Sequence, residues 1–362
     1  MAFRLIQGTT LPIGLDLGTC RIRMAQLRQL EGSLELLAAE EVELPRTSRQ
    51  DLPTRLAAVG EAVRYMLTSG RFVGRRCILS LPAEATSVQH VRIARVPADQ
   101  MDGAVAEELA GKLPYPLEEA VIRHLVAGEV SADGGPKQEV IVVAVWRPVL
   151  ESYLAMASGA KLDVVGVNIE ACAVVECFAR VMSRASDAIR ATLFVDMGAV
   201  STQFVLARGP QIVFARNLAM GGEQIDEALA GKLRTSVQDA ALLRGDMAAG
   251  RSTPQAEDEL FGLLDETIKS IADEMTQCLR YYESVFRHCS VERAIFVGGQ
   301  AYDKRLCQAI AQRLNLPAQI GDPLVRVKRA PGAGARMNMD WRQPQPAWAV
   351  AVGLSLGPTV AA

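Results

Sequence analysis

Two Asp-x-Gly segments are the parts of the sequence best suited to phosphate chemistry, and the first is DLGTC at 16–20. It follows the apolar run 12–17, which predicts a strand. A strand that ends in an aspartate and a glycine turn directs backbone N–H groups towards a phosphate, and the hydroxyl of Thr19 adds a donor. Asp16 is suited to bind a magnesium ion through water as a hard carboxylate ligand. A single turn of this kind is more often a plain hairpin.

The same turn occurs a second time, as DMGAVST at 196–202. The stretches IGLDLGTCRIRMAQL and LFVDMGAVSTQFVLA share a strand, an aspartate, one residue, a glycine and a second strand after a tight turn. Such an internal repeat predicts two halves of related fold that face each other. Two opposed hairpins can hold one polyphosphate and its metal from both sides, with Asp196 as the second carboxylate.

Two further segments carry residues that a nucleotide site can use. In IFVGGQA at 295–301, Gly298 and Gly299 end a strand, and the missing Cβ lets the backbone approach a flat ligand. A tight turn without a ligand is the simpler interpretation of a lone glycine pair. Glu170 opens an apolar helix that runs to Val181. It can orient a water for attack on a phosphoryl group, or simply interact with the helix dipole, an effect of under about 1 kcal/mol.

The elements that must position these residues alternate between strands and helices, which predicts an α/β fold. In the first half, the pattern predicts strands at 12–17, 21–27, 34–44 and 77–81 and a helix at 52–68. A self-contained segment follows, with predicted strands at 87–93, 121–130 and 139–146 and helices at 99–112 and 148–159. The second half has predicted strands at 192–196, 202–207, 212–217 and 294–297, helices at 222–244, 258–289 and 347–356, and loops at 245–255 and 326–346.

The composition excludes several classes of protein. The 362 residues include 39 Lys and Arg against 41 Asp and Glu, so no global basic surface is available for sequence-independent nucleic-acid binding. No apolar run approaches the roughly 18–20 residues of a membrane-spanning helix, and the polar residues at 7–10 interrupt any signal-peptide core. The seven cysteines form no CxxC pair and the three histidines are scattered. These features predict reduced thiols, no protein-built zinc site and a cytoplasmic location.

In chain order, the four segments lie at 16–20, near 170, at 196–202 and at 295–301. This order and these separations resemble those of the actin-like ATPase superfamily, and within it the branch of the PilM and FtsA families. Other stretches are similar to PilM-family motifs. LPYPLEEAVIRH at 113–124 is similar to PFPLEE, VVGVNIEACAV at 164–174 to VDVEPLA, RYYES at 280–284 to LEFY, and AWAVAVGLSL at 347–356 to AIGLAL. The resemblance covers essentially the whole chain and is closer to the PilM family of type IV pilus assembly than to FtsA.

The resemblance implies roles for particular residues. One set would contact the phosphates of ATP from the first half: Asp16, Gly18, Thr19 and Cys20. A second set would contact them from the other side: Asp196, Gly198, Ser201 and Thr202. Gly298 and Gly299 would back the adenosine, and Asp16 and Asp196 would bind magnesium through water. Glu170 matches, more distantly, the carboxylate that positions water in DnaK-type chaperones, and with Asp16 it forms the implied catalytic pair.

The sequence departs from the family pattern around the adenosine. Gln300 and Ala301 stand where the family has a third glycine and a serine. The Ala-Glu-x-x-Lys segment that reaches ribose and base is matched only loosely by 238–244, with Asp239 as the nearest acidic residue. Where the family commonly has a basic pair in the late helix, this sequence has Thr276 and Gln277. The resemblance therefore implies nucleotide binding with an unusual adenosine pocket.

The implied fold has two duplicated actin-like α/β domains around a nucleotide cleft, with an inserted small subdomain. Residues 1–85 would form the first domain, completed by 163–190 and 345–362. The insert would cover 86–162. The second domain would cover 191–344, with a helical subdomain at about 222–290.

The function that the resemblance implies is that of a cytoplasmic ATP-binding scaffold, peripheral to the inner membrane through its partners. It would belong to the assembly platform of a type IV pilus or a related secretion system. Its segment 86–162 would dock the N-terminal cytoplasmic tail of a PilN-like membrane protein. The pilus or secretion assembly ATPase complex would be a further partner, self-association is left open, and neither nucleic acid nor direct membrane insertion is expected. ATP hydrolysis would be slow at most.

Three alternatives remain at the level of sequence. A true ATPase or a sugar-kinase relative needs further carboxylates in the cleft, and none beyond Asp16, Glu170 and Asp196 is placed for that. An FtsA-like filament protein of cell division is expected to have a C-terminal linker and a basic amphipathic helix, whereas the sequence ends LGPTVAA. A type II secretion counterpart is expected to continue into a membrane helix.

Overall fold

A computed structural model of the chain describes residues 8–132, 135–182, 189–286, 289–331 and 339–357. The strands, in chain order, are β1 (Thr9–Asp16), β2 (Arg21–Leu30), β3 (Ser33–Glu43), β4 (Arg76–Leu81), β5 (Ser87–Ala94), β6 (Ala120–Ala132), β7 (Gly135–Trp146), β8 (Asp163–Ile169), β9 (Ala191–Met197), β10 (Thr202–Arg208), β11 (Gln211–Leu218), β12 (Val291–Val297), β13 (Ala318–Ile320) and β14 (Val327–Arg329). The helices are α1 (Leu52–Ser69), α2 (Met101–Leu109), α3 (Arg147–Gly159), α4 (Glu170–Ala179), α5 (Gly222–Leu233), α6 (Val237–Ala248), α7 (Pro254–Val285), α8 (Lys304–Arg313) and α9 (Ala349–Leu356).

Two compact units make up the chain. The first comprises Met1–Thr86, Val145–Arg180 and Asp322–Ala362, and the second comprises Ser87–Ala144 and Val181–Gly321. Most of the predicted insert therefore groups with the second unit, whereas its last helix, α3, packs on α1 and β8 in the first. The domain boundaries that the sequence analysis gives, such as 86–162 for the insert, remain a prediction.

The first unit is built on a six-stranded sheet of order β14-β3-β2-β1-β4-β8. Strands β1, β2 and β3 form an antiparallel meander, and β4 runs parallel to β1. The last helix, α9, lies in backbone contact with this sheet and with α4. A Cβ on Gly14 of β1 would lie 2.0 Å from the carbonyl oxygen of Ala351, and a Cβ on Gly353 would lie 1.8 Å from that of Ala173. Glycine at these two positions lets β1, α9 and α4 pack without intervening side chains.

The second unit repeats this arrangement in a five-stranded sheet of order β11-β10-β9-β12-β13. Strands β9, β10 and β11 again form an antiparallel meander, and β12 runs parallel to β9. Both sheets place an Asp-x-Gly turn after the first strand of the meander. The prediction of two duplicated α/β halves is thereby confirmed.

Within the second unit, segment 87–144 forms a three-stranded sheet of order β5-β7-β6 with α2 packed on it. A fully buried carboxylate, that of Glu139 on β7, connects this sheet to α7 and β11. It accepts hydrogen bonds from Tyr281 Oη at 2.7 Å and Arg92 Nε at 2.9 Å, and His90 Nδ1 lies 3.3 Å away. Burial raises the pKa of Glu139, but His90, Tyr281 and Arg92 outweigh burial and hold it below its usual value. The His90 ring also stacks on Phe214 of β11, with centroids 4.5 Å apart.

The observed elements differ from the predicted ones in five places. The predicted helix at 222–244 is wrong as one element, because Arg234 adopts a left-handed conformation that ends α5 and Ser236 caps α6. The observed loop is shorter than the predicted one at 245–255, because α6 continues to Ala248 and α7 begins at Pro254. Strands β8 and β13 were not predicted, and the predicted loop at 326–346 is wrong at its start, where β14 (Val327–Arg329) pairs with β3.

Parts of several predictions lie outside the described residues: 1–7, 183–188 and 358–362 of the predicted first domain, 287–288 of the predicted helix at 258–289, and 332–338 of the predicted loop at 326–346. Across the ranges that the structure describes, no helix is both long and apolar enough to cross a membrane.

Candidate functional site

The turn between β1 and β2 contains the first set of predicted residues. Asp16 ends β1, is 5% exposed, and accepts a hydrogen bond from the backbone N–H of Gly18. A Cβ on Gly18 would lie 2.8 Å from the carbonyl oxygen of Arg21, so only glycine fits this turn without a shift of the backbone. Thr19 and Cys20 are half-buried at its tip. The turn therefore has the tight form that the sequence predicts.

The charge of Asp16 depends on its surroundings. Burial raises its pKa to about 6, against the lowering effects of Arg23, the Gly18 N–H and Arg55. The carboxylate is thus ionised at neutral pH, although it is almost inaccessible to solvent. An ionised, buried carboxylate at the end of a strand is a suitable hard ligand for a divalent cation.

Two arginines that the sequence analysis missed hold this turn. Arg55 of α1 donates to backbone carbonyls of the turn. Arg49 Nη2 lies 2.6 Å from Cys20 Sγ. The sequence does contain a feature that indicates the role of Arg55. At helical spacing it lies on the same face of α1 as Val59, Val63 and Met66, which are buried. An arginine within an apolar helical stripe indicates a specific buried partner.

Glu170 lies at the same edge of the first sheet as Asp16. Strands β1 and β8 both run parallel to β4, so their carboxyl ends meet at one edge. Glu170 follows β8 directly and is the first residue of α4, where a negative charge interacts favourably with the helix dipole. Two strand spacings, about 10 Å, separate β1 from β8 across the sheet. The structure therefore brings both predicted catalytic carboxylates to one side of the first unit.

The turn between β9 and β10 contains the second set. The N–H of Gly198 donates to the carbonyl of Ser201 at 2.9 Å, which closes the turn. The N-terminus of α5 abuts it, since Gly222 donates to Gly198 at 3.1 Å and Glu223 donates to Ala199 at 2.8 Å. The positive end of a helix dipole thus lies beside the turn, which favours an anion there.

The Thr202 hydroxyl differs from the other predicted phosphate contacts in this turn. Thr202 is fully buried, and its Oγ1 donates to the carbonyl of Met220 at 2.7 Å. The hydroxyl therefore ties β10 to the segment before α5. Ser201, by contrast, is half-buried at the turn.

The glycine pair after β12 has two distinct environments. Gly298 has φ +85°, and a Cβ there would lie 2.3 Å from Oδ1 of Asp196. Because Val297 pairs with Asp196 in the parallel sheet, the end of β12 lies directly beside the second Asp-x-Gly turn. Gly299 is exposed, and no heavy atom lies within 4 Å of its ideal Cβ position. The structure thus brings Gly298 to Asp196 and leaves Gly299 as an open backbone surface.

Gln300 takes part in a buried network that the sequence analysis also missed. Its Oε1 accepts from Arg244 Nη2 at 2.7 Å, and Arg244 Nε donates to Asp226 Oδ1 at 2.7 Å. Its amide group occupies the space beside Gly222, where a Cβ would lie 2.3 Å from Gln300 Nε2. Gln300 therefore joins the segment after β12 to α5 and α6. No signal in the sequence identified Arg244 as its partner.

Metal binding by protein side chains alone finds no support in the described ranges, which contain no group of three or more His, Cys, Asp or Glu residues placed around one ion. The carboxylates of Asp16 and Asp196 belong to different compact units. A magnesium ion at either aspartate would take its other ligands from water or a bound phosphate, as this ion commonly does.

Comparison with known proteins identifies the family and the fold. Residues 14–358 match a family model described as type IV pilus assembly protein PilM. The chain is similar to a solved PilM-PilN type IV pilus biogenesis complex, with 20% identity, a TM-score of 0.78 and coverage of 95% of this chain and 97% of that one. It is also similar to the ethanolamine utilization protein EutJ from Carboxydothermus hydrogenoformans, with 13% identity, a TM-score of 0.54 and coverage of 96% and 89%. The fold is that of the actin-like ATPases, and the match along 14–358 shows that the chain belongs to the PilM family of type IV pilus assembly proteins.

Proposed function

We propose that this protein is an ATP-binding scaffold that docks the cytoplasmic N-terminal tail of a PilN-like membrane protein. Membership of the family gives it a role in type IV pilus assembly. The observation that carries the proposal is its likeness to a PilM-PilN complex along 95% of the chain. In this role the protein lies in the cytoplasm, peripheral to the inner membrane, and segment 86–162 carries the docking face.

ATP with magnesium is the proposed ligand, and the two Asp-x-Gly turns support it. The turn after β1 offers Gly18, Thr19 and Cys20, and the turn after β9 offers Gly198 and Ser201 beside the positive end of α5. Thr202 contributes by holding the second turn, because its hydroxyl donates to a backbone carbonyl. The glycine pair after β12 backs the adenosine, with Gly299 as the open surface.

Each of the two aspartates is suited to bind a magnesium ion through water. Asp16 is ionised above pH about 6, and carboxylate oxygen is the ligand that magnesium prefers. The ion would neutralise charge on the phosphates. Glu170 lies at the sheet edge where Asp16 ends β1, and we assign it the positioning of a water. The proposed hydrolysis of ATP is slow at most.

Docking of the tail is tested by isothermal titration of the full chain, in magnesium and ATP, with a synthetic peptide of a PilN-like N-terminal tail. Saturable binding is expected, because an extended peptide that orders on a preformed surface gives a measurable heat. A peptide of the same composition in scrambled order is the control and is expected to give only heat of dilution. Equal heats for both peptides, or no binding with and without ATP, would contradict the proposal.

A further inference from the structure

We infer that Arg55 is the residue that positions the phosphate turn after β1, an inference that rests on the ATP binding proposed above. Arg55 is 5% exposed on α1, and its guanidinium group bridges three successive carbonyls. Nη2 donates to Leu17 at 2.9 Å and to Gly18 at 3.1 Å, and Nη1 donates to Thr19 at 3.1 Å. A planar fork of donors suits this arrangement, which a single ammonium group cannot reproduce.

The three hydrogen bonds set the direction of the N–H groups in the turn. In a planar trans peptide the C=O and N–H bonds point in opposite directions. Carbonyls of Leu17, Gly18 and Thr19 that face Arg55 therefore direct the next three N–H groups to the other side of the turn. The first of these, on Gly18, donates to the Asp16 carboxylate. The N–H groups of Thr19 and Cys20 then point to the side where an anion would bind, as in other backbone phosphate sites.

The charge of Arg55 acts in the same sense as its geometry. Arg55 and Arg23 both lie near enough to Asp16 to oppose the rise of its pKa that burial causes. Arg23 is ion-paired with Glu41 at 3.0 Å, whereas Arg55 donates to uncharged backbone carbonyls of the turn. The guanidinium is buried, so solvent and salt screen it weakly. Arg55 therefore favours an anion on the turn both by orienting N–H groups and by its charge.

A neighbouring side chain restrains the guanidinium. Tyr153 of α3 is 1% exposed, and Arg55 lies close enough to its hydroxyl to oppose the raised pKa that burial gives that group. Because α1 and α3 pack on each other in the first unit, the aromatic ring limits the rotamers that Arg55 can adopt. The turn is thus fixed from behind by α1 and, through the tyrosine, by α3.

The test compares ATP and adenosine binding in the full-length variants Arg55→Lys and Arg55→Met. Arg64→Met is the matched control, since Arg64 lies exposed on the same helix. We expect ATP to bind about tenfold more weakly to Arg55→Lys and about 100-fold more weakly to Arg55→Met, as loss of charged hydrogen bonds predicts. Adenosine affinity and the Arg64→Met variant should change less than about twofold, whereas general unfolding would weaken both ligands.

Hydrogen exchange of the peptide that contains 17–20 is the second measurement, made without ligand. In Arg55→Lys this peptide should exchange faster than in the wild type, while peptides from the second unit remain unchanged. ATP affinities within twofold of the wild type, or an equal loss for ATP and adenosine, would overturn the inference. If Arg55→Met does not fold, Arg55→Lys decides. No ATP binding by the folded wild type overturns the proposed function and the inference together, whereas wild-type binding with unaffected variants overturns the inference alone.

Discussion

Replacing Gly298 by alanine is expected to destabilise the second unit by about 2–6 kcal/mol. Gly298 has φ +85° and ψ 177°, a region open essentially to glycine alone, and an alanine there costs about 1–3 kcal/mol. The new Cβ would also lie 2.3 Å from Oδ1 of Asp196 and 2.6 Å from the carbonyl oxygen of Met197. Overpacking of this kind adds about 1–3 kcal/mol. Because the clash involves Asp196 and backbone, it displaces the second Asp-x-Gly turn as well.

The next residue supplies the matched control. Gly299→Ala adds the same methyl group where no heavy atom lies within 4 Å and the residue is exposed. Its urea midpoint, followed by far-UV circular dichroism, should stay close to that of the wild type, while the midpoint of Gly298→Ala falls. If the two alanines shift the midpoint equally, the contact between Gly298 and Asp196 is not the constraint. Gly299→Ala should also weaken ATP binding if the exposed backbone backs the adenosine.

Replacing Asp16 by asparagine is expected to stabilise the protein without ligand while weakening its magnesium-dependent ATP binding. The pKa of Asp16 is about 6 in the folded chain because of burial, against 3.8 for the ordinary group. A raised carboxyl pKa contributes stability that is full below about pH 3.8 and is lost as the pH rises through about 6. At pH 7.5 the charged form therefore costs about 3 kcal/mol, because a tenfold change in proton affinity corresponds to about 1.4 kcal/mol. Asparagine keeps the acceptor for the Gly18 N–H and removes this cost.

The pH dependence separates this effect from a general change in packing. The stability difference between Asp16→Asn and the wild type should be largest near pH 7.5 and fall by about half at pH 5, where most Asp16 is protonated in the folded state. Urea midpoints at both pH values give the comparison. A variant that is less stable than the wild type at both values would contradict the assigned pKa. Unchanged magnesium-dependent binding of ATP would remove Asp16 from the proposed metal site.

The duplicated meanders could be predicted from sequence because their strands are regular and each ends in a distinctive turn. Apolar runs lead directly into Asp16 and Asp196, and two copies of one pattern support each other. Strand β8 escaped prediction because it lies at the sheet edge with alternating half-buried and exposed residues and a glycine at 166. The end of α5 escaped because a left-handed Arg234 takes the place of the glycine that usually marks such an end.

The turns of the candidate site were predictable, but the side chains that hold them were not. Arg55 and Arg244 each act on segments far away in the sequence, so no local pattern reveals their partners. Gln300 showed only as a departure from the family pattern. Its amide group accepts a hydrogen bond from Arg244 and fills the space beside Gly222, which explains why a long side chain fits at position 300. Local rules thus locate phosphate turns, whereas buried polar networks depend on the tertiary structure.

Binding of ATP is the claim on which the scaffold proposal depends most. Isothermal titration of the full chain with ATP, in magnesium and again in EDTA, measures it directly. Saturable binding that requires magnesium and is weakened in Asp16→Asn is the expected result. A folded protein that gives no saturable heat up to millimolar ATP would contradict the account.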